Sequence, residues 1–331
     1  MAKRTRERLD LSQLGLDFNT SAAQVEEEVP ARPVQNAKRL MDNCVVLDLT
    51  FHRMGIRRKA DMGQVETEAD KSMLGLTKAI VDSKEYQDIV HLANEVRTYI
   101  AKRSLPSPLK RGTFLVSLSA VEGLMAKVDE YEAKYQELAD KFVAVYPAKI
   151  KDAEERLGPS QFRADNYPSV KSARASFSIE RRLLDFGVPS KKKIGLELWK
   201  QEREKAEAMW KDAAVEVQFA LRESLRALVA HLADKLEPKP DGSRKTLYSS
   251  AITNVTEFLD LFQSRNVTGD VELEGLVAQA RNVLKGKKAD TLRTNAMARG
   301  KVAGEMARVM GALDQLLEKA PRRKIQFKEE D

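Results

Sequence analysis

The chain has 331 residues, of which 42% are hydrophobic and 32% are charged, enough apolar material to fill one large domain or two ordinary ones. Its 57 basic and 50 acidic residues are interleaved, which is more typical of a solvated helical surface than of a nucleic-acid-binding surface. The single cysteine excludes an internal disulfide framework, and the apolar runs are too short for a signal peptide or a transmembrane helix. We therefore expect a cytoplasmic protein that does not enter a membrane.

The N-terminal segment predicts a flexible arm over residues 1–43. Its prolines, its acidic run and its few large apolar side chains cannot offset the entropy cost of ordering. Leu14, Leu16 and Phe18 are unusually apolar for such an arm. They indicate either a segment that lies on the body of the protein or a short peptide that docks on a partner.

Three segments show the alternation of apolar and polar residues that is typical of β-strands. These are residues 45–52, residues 113–118 and residues 173–179. Together they predict a small antiparallel sheet, in which the first and last segments could pair.

A phosphate-binding loop is one interpretation of the segment that follows the prolines at 106 and 108 and precedes the strand at 113. It lacks the GxxxxGK[ST] pattern, so a turn before the strand is the better interpretation. Ser119 and Glu122 then have the spacing of a capping box at the start of a helix.

Two long amphipathic helices dominate the rest of the sequence. Apolar residues recur in alternating steps of three and four from Val121 to Val145, which predicts a coiled-coil seam that ends at Pro147. A second stripe predicts a rod over residues 196–236, about 60 Å long at 1.5 Å per residue. We expect the two rods to pack antiparallel to each other, or the second to pack against another subunit.

Prolines and a glycine at 238–242 separate this rod from three further helices. The apolar spacing predicts them over residues 246–264, 270–285 and 290–319, with Gly286 in a left-handed conformation after the second and Asp290 capping the third. The predicted organisation is thus an arm at 1–43, an α+β region at 44–190, a helical region at 191–320 and a tail at 321–331.

The sequence offers little catalytic chemistry. Its three histidines fall in different predicted elements and Cys44 begins a strand, so no metal-ligand spacing and no activated nucleophile is apparent. Nucleophile-elbow, dinucleotide-binding and kinase motifs are missing as well. We expect a non-enzymatic protein without a cofactor.

Basic residues are concentrated at predicted turns, which raises nucleic-acid binding as an alternative. If the fold gathers them on one side, they would neutralise phosphates and make binding strongly dependent on salt. Turns also collect lysine simply because they are solvated. The candidate contacts are Arg57, Arg58, Lys59, Lys110, Arg111, Lys191, Lys192 and Lys193.

Several segments, taken in order, resemble a family of bacteriophage and mobile-element proteins that carry a domain of unknown function. The segments are NCVVLDLTFHRMGIRRK, SKEYQDI, RSLPSPLKRGTFLVS, NYPS, SFSIERRLLDFGVPSK, EREKAEAMW, SRNVTGDVEL and RRKIQF. Such proteins are often encoded near a MoxR-type AAA+ ATPase and a von Willebrand A-like protein. The resemblance implies an adaptor or accessory subunit of that ATPase in a bacterial host cell.

The combined expectation is a mainly α protein of the α+β class, with long helices in coiled-coil-like antiparallel packing and a small antiparallel sheet. We predict an interaction protein that binds a protein partner or a second copy of itself. The candidate partner contacts are Leu14, Leu16, Phe18, Ile325 and Phe327. Binding of DNA or RNA and a structural or assembly role in a phage particle are the alternatives.

Overall fold

The computed structural model describes residues 32–63, 66–70, 73–110, 112–185, 188 and 190–319. The longer helices are α1 (Arg32–Asn43), α2 (Lys84–Arg103), α3 (Val121–Gln161), α6 (Leu196–Leu236), α7 (Ser249–Arg265), α8 (Val271–Leu284) and α10 (Ala296–Glu318). The shorter ones are α4 (Val170–Ala175), α5 (Lys191–Ile194) and α9 (Ala289–Thr294). The strands are β1 (Cys44–His52), β2 (Arg57–Lys59), β3 (Thr77–Ala79), β4 (Leu105–Pro106), β5 (Thr113–Ser117) and β6 (Ser178–Leu184). The predicted fold class, mainly helical with a small antiparallel sheet, is confirmed.

The main sheet has the strand order β4-β5-β1-β6, with each neighbouring pair antiparallel. β1 and β6 pair as expected, but β6 begins five residues later than the predicted strand at 173–179. Ala173 lies instead on α4, because Ser169 accepts a hydrogen bond from the Ser172 N–H and begins a helix there. β2 and β3 form a separate two-stranded ribbon.

β1 is buried on both faces at its start and separates two hydrophobic cores. Leu47 and Leu49 face the α3 core, which α2, α3 and α4 complete. Cys44 and Val46 face the α6 core, which is built from α1 and from α6 through α10. The sheet therefore joins the two helical parts of the chain.

Each rod helix packs against a different partner from the one predicted. α3 runs antiparallel to α2, since Tyr86 stacks edge-on against Phe142 and Tyr99 against Tyr131. α6 runs antiparallel to α10, as shown by a 2.8 Å bond from Arg299 Nε to the carbonyl oxygen of Leu236 at one end. Antiparallel packing of long helices is thus confirmed, but α3 and α6 belong to separate cores because the sheet lies between those cores.

Helix α1 occupies residues that the sequence analysis placed in a flexible arm. Ala37 and Leu40 are fully buried in the α6 core. Twelve residues with two buried side chains are enough to dock a short amphipathic helix, although the segment has few large apolar groups. The arm prediction for residues 1–31 lies outside the described residues.

Helix α3 continues through Pro147, where the sequence predicted its end. Proline removes one helical hydrogen bond, but buried Tyr146 and Ala153 anchor the helix on both sides of it. The break comes at Gly158, which has φ +62°. Ser119 does not cap this helix: its hydroxyl bonds to Ser117 Oγ at 2.8 Å, and the N-cap position is Ala120.

The predicted helix at 290–319 is divided at Asn295. Its side chain accepts a hydrogen bond from the Ala298 N–H at 2.9 Å and so begins α10 as a new helix. Asp290 lies inside α9 and pairs with Arg293 instead of capping. Gly286 has φ +69°, as the sequence predicted.

Candidate protein-binding edge

The predicted partner contacts in the two terminal segments cannot be placed. Leu14, Leu16, Phe18, Ile325 and Phe327 lie outside the described residues, and so does the basic candidate Arg111. The remaining basic candidates lie on three different elements: β2, the turn before β5, and α5.

These basic side chains differ in how far they are already engaged. Lys110 Nζ lies 2.9 Å from Asp48 Oδ2, and Arg58 Nη1 donates to the Gly55 carbonyl at 3.1 Å. Lys191 Nζ lies over the ring of Trp199, 4.2 Å from its centroid. Arg57, Lys59, Lys192 and Lys193 are exposed.

The larger cleft, of about 460 Å³, lies between β3, the start of α2 and the last turns of α3. Its charged lining is largely self-paired, because Arg156 Nη1 lies 3.2 Å from both Asp82 and Asp152. Ser83 at its base accepts from the Tyr86 N–H and begins α2. The cleft thus offers no unpaired catalytic group among these residues.

A smaller polar cleft, of about 200 Å³, lies on the open face of β1 and β6. His52 Nε2 lies 3.1 Å from Glu180 Oε2, and Arg182 also binds Glu180. These hydrogen bonds, that of His52 before that of Arg182, hold the pKa of Glu180 below its ordinary value. Acidic and basic groups are balanced here, which favours a cross-strand ion network over a binding site for one charge.

Metal and thiol chemistry find little support in the described part of the chain. No group of three histidine, cysteine, aspartate or glutamate side chains there is placed to hold a metal ion. Burial raises the pKa of the Cys44 thiol to about 12, so the thiol stays protonated at neutral pH.

The feature that stands out is the edge of the main sheet formed by β6, which pairs with no further strand among the described residues. The N–H of Leu49 bonds to Gly112 on the β5 side, so the even-numbered residues of β1 point their backbone groups towards β6. In the observed register Asp48 is opposite Arg182 and Thr50 is opposite Glu180. The even-numbered residues of β6 therefore bond to β1.

It follows that Ile179, Arg181 and Leu183 direct their backbone N–H and C=O groups away from the sheet. An edge strand with such a row of unpaired groups is a template for another strand. Charged side chains commonly protect such edges, but Arg181 is held by Asp129 and Glu132 of α3. The guanidinium of Arg181 is thus directed towards α3.

The last part of this edge is also apolar. Leu183 and Leu184 are 47% and 38% exposed, and the residues from Arg182 to Leu184 are all classed as exposed. Leu118 is 54% exposed and lies at the same end of the sheet, since its N–H bonds to Asn43 just before β1. The "β6 edge" below means Ile179–Leu184 with its outward backbone groups.

This edge was not predicted, because the apolar alternation in the sequence ends at Ile179. The strand in fact continues to Leu184, but the three charged residues at 180–182 interrupt the apolar alternation and resemble a loop. The two adjacent leucines that follow three charged residues were the available signal.

No protein family, no curated protein and no solved structure matches this chain. In the described residues, no helix has the length and apolar character needed to cross a membrane.

Proposed function

We propose that this protein is an adaptor that binds an extended segment of a protein partner on the β6 edge. The observation that carries the proposal is the outward row of backbone groups at Ile179, Arg181 and Leu183, next to exposed leucines. Addition of a strand to a sheet edge gives affinity through main-chain hydrogen bonds and selectivity through alternate side chains.

The partner we propose is the MoxR-type AAA+ ATPase that the sequence resemblance implies. Its extended segment would place apolar side chains against Leu183 on the α3 side of the sheet. On the other face, Glu180 and Arg182 would favour a polar residue, because their charges already compensate each other. The protein is then a phage or mobile-element component that acts in the host cytoplasm.

Two observations favour a protein partner over nucleic acid. Lys110 is paired with Asp48, and Lys191 lies over Trp199, so two of the basic candidates already have partners. Aromatic residues are 6% of the sequence, which leaves few platforms on which bases could stack.

The test is titration of the purified ATPase with the wild-type chain and with Leu183→Lys, with and without ATP. We expect binding to weaken by tenfold or more in Leu183→Lys, because a lysine opposes burial of this edge. Leu198→Lys is the matched control, since Leu198 on α6 is also 47% exposed. Equal affinity of the two variants would rule out the edge, and absence of binding by the wild type would rule out this partner.

A second copy of the chain is the competing occupant of the edge. Two β6 strands could pair antiparallel about a twofold axis. Sedimentation would then show a dimer that Leu183→Lys dissociates. This outcome would replace the ATPase with self-association.

A further inference from the structure

The junction between α7 and α8 holds polar groups that no other described residue satisfies. α7 ends at Arg265, and α8 begins after Asp270. Between them, the Asn266 side chain accepts a 2.8 Å bond from the Asp270 N–H, and Gly269 has φ +68°. The loop is therefore a defined turn whose geometry requires glycine.

Two side-chain atoms at this junction are buried without a partner. Thr268 has no exposed surface, and its hydroxyl oxygen makes no hydrogen bond. The Nε of Arg265 is likewise shielded from solvent and unpaired. The guanidinium lies 5.4 Å from the ring centroid of Phe258, a contact that replaces only part of the lost hydration. Burial lowers the pKa of Arg265 to about 10.

Arg222 on α6 is, by contrast, an arginine whose charge is balanced by carboxylates. Arg222 binds both carboxylate oxygens of Asp270 and also pairs with Glu272. Asp270 is thereby occupied. Arg265 has no ion pair with any carboxylate in the part of the chain that the structure describes.

A second guanidinium approaches the same loop from α1. A side chain at Gly269 would collide with the guanidinium of Arg39, which fills the space beside this glycine. Arg39 also has no carboxylate partner among the described residues. Two arginines and one hydroxyl, all hydrogen-bond donors, thus lie at a turn whose own carboxylate, Asp270, is already bound by Arg222.

Buried donors without a partner, here the Thr268 hydroxyl and the Arg265 Nε, usually have a ligand, an ion or a water as their partner, whereas Arg39 is exposed. A guanidinium is best matched by the oxygens of a carboxylate or a phosphate. We propose that the α7–α8 junction is an oxyanion-binding site in which Arg265, Arg39 and the Thr268 hydroxyl donate to a carboxylate or phosphate group. The site is separate from the β6 edge and does not depend on the function proposed for that edge.

The oxyanion can come from the chain itself or from solution. The sequence places the acidic run Glu26–Glu28 four residues before α1, the helix that carries Arg39. The carboxylates of this run are the candidate occupant within the chain, and inorganic phosphate is the soluble one.

The experiment measures the thermal unfolding midpoint against inorganic phosphate, with chloride holding the ionic strength constant. For a soluble oxyanion we expect a saturable rise in the wild type, and at least tenfold weaker apparent phosphate affinity in Arg265→Met. Arg308→Met is the control, because Arg308 on α10 has a 78% exposed side chain. Thr268→Val provides a second variant that should also weaken the response if Arg265→Met does not fold.

If the chain's own carboxylates fill the site, the wild type will not respond to phosphate. The triple variant Glu26→Gln, Glu27→Gln, Glu28→Gln should then gain a response, and Arg265→Met should remove it. The proposal is overturned if neither the wild type nor the triple variant responds. It is also overturned if Arg265→Met and Thr268→Val respond as strongly as Arg308→Met.

Discussion

Arg222 Nε lies 2.7 Å from Oδ2 of Asp270, and this ion pair fixes the middle of α6 to the start of α8. Burial alone would lower the pKa of Arg222, but its hydrogen bond to Asp270 gives a net increase. Asp270 also accepts from the Leu273 N–H and so caps α8. The pair therefore joins three elements, since Arg222 also donates to the Leu316 carbonyl of α10.

Removing one member of this ion pair should lower the free energy of unfolding substantially. We expect Asp270→Ala to lower the free energy of unfolding by about 3–5 kcal/mol, because it leaves a buried guanidinium with only the exposed Glu272 as its ionic partner and leaves a helix uncapped. The exposed pair Arg226–Asp314 is the matched control, and Asp314→Ala should cost at most about 1 kcal/mol. Urea unfolding measures both, and equal losses would show that Arg222 is not dependent on Asp270.

The ion pairs of Glu257 should make the stability of the contact between the two helical parts depend on pH. It lies on α7 and binds Lys102 at 2.9 Å and Arg103 at 3.1 Å, both at the end of α2. The hydrogen bond from Lys102 is the main cause that lowers the pKa of Glu257. The resulting stabilisation is therefore complete above the unfolded-state pKa and is lost as the pH falls through the lower, folded-state pKa.

We expect Glu257→Gln to destabilise the protein by about 1 kcal/mol at pH 7 and progressively less as the pH drops below about 4.5. Denaturant unfolding of both proteins across this range measures the difference. A difference that is constant with pH, or that grows on acidification, would contradict the assigned ion pairs.

Pro147 is an exposed proline in the interior of α3 and should be destabilising where it stands. We expect Pro147→Ala to raise the free energy of unfolding by about 1–3 kcal/mol, because alanine restores a helical hydrogen bond. Pro159→Ala should change it by less than about 1 kcal/mol, since Pro159 directly follows the break at Gly158 and begins a new turn. A larger gain at Pro159 would refute this explanation.

Proline substitutions can also test the orientation of the β6 edge. Leu183→Pro removes an outward N–H and should leave the bonds to β1 intact, with a small loss of stability. Arg182→Pro removes an N–H that bonds to β1 and should cost about 1–3 kcal/mol more. If Leu183→Pro is the more damaging of the two in thermal unfolding, the deduced orientation is wrong.

The sequence predicts much of the local structure and less of how its elements pack. The bounds of α6 were predicted closely, because a 41-residue run without glycine or proline carries one apolar stripe. The antiparallel partner of that stripe was not predicted correctly. Any long apolar stripe fits another, and only the sheet between the cores, which the sequence cannot position, separates α3 from α6.

The β6 edge likewise depends on packing that the local sequence does not predict. The pairing of β1 with β6 was predicted from alternation, but which strand lies at the edge depends on the order β4-β5-β1-β6. The outward direction of the Leu183 backbone then depends on the phase of the hydrogen bonds between β1 and its other neighbour, which the bonds from Leu49 N–H to Gly112 and from Leu118 N–H to Asn43 define. Non-local pairing of this kind cannot be deduced from the sequence of β6 alone.

Amide hydrogen exchange along β6 is the sharpest test of strand addition at this edge. It is measured on the chain alone and with the proposed ATPase partner added. We expect exchange at Ile179, Arg181 and Leu183 to slow strongly on binding, while Glu180 and Arg182, already bonded to β1, change little. Partner binding that leaves the three outward amides unchanged, with protection elsewhere on the surface, would contradict strand addition at this edge.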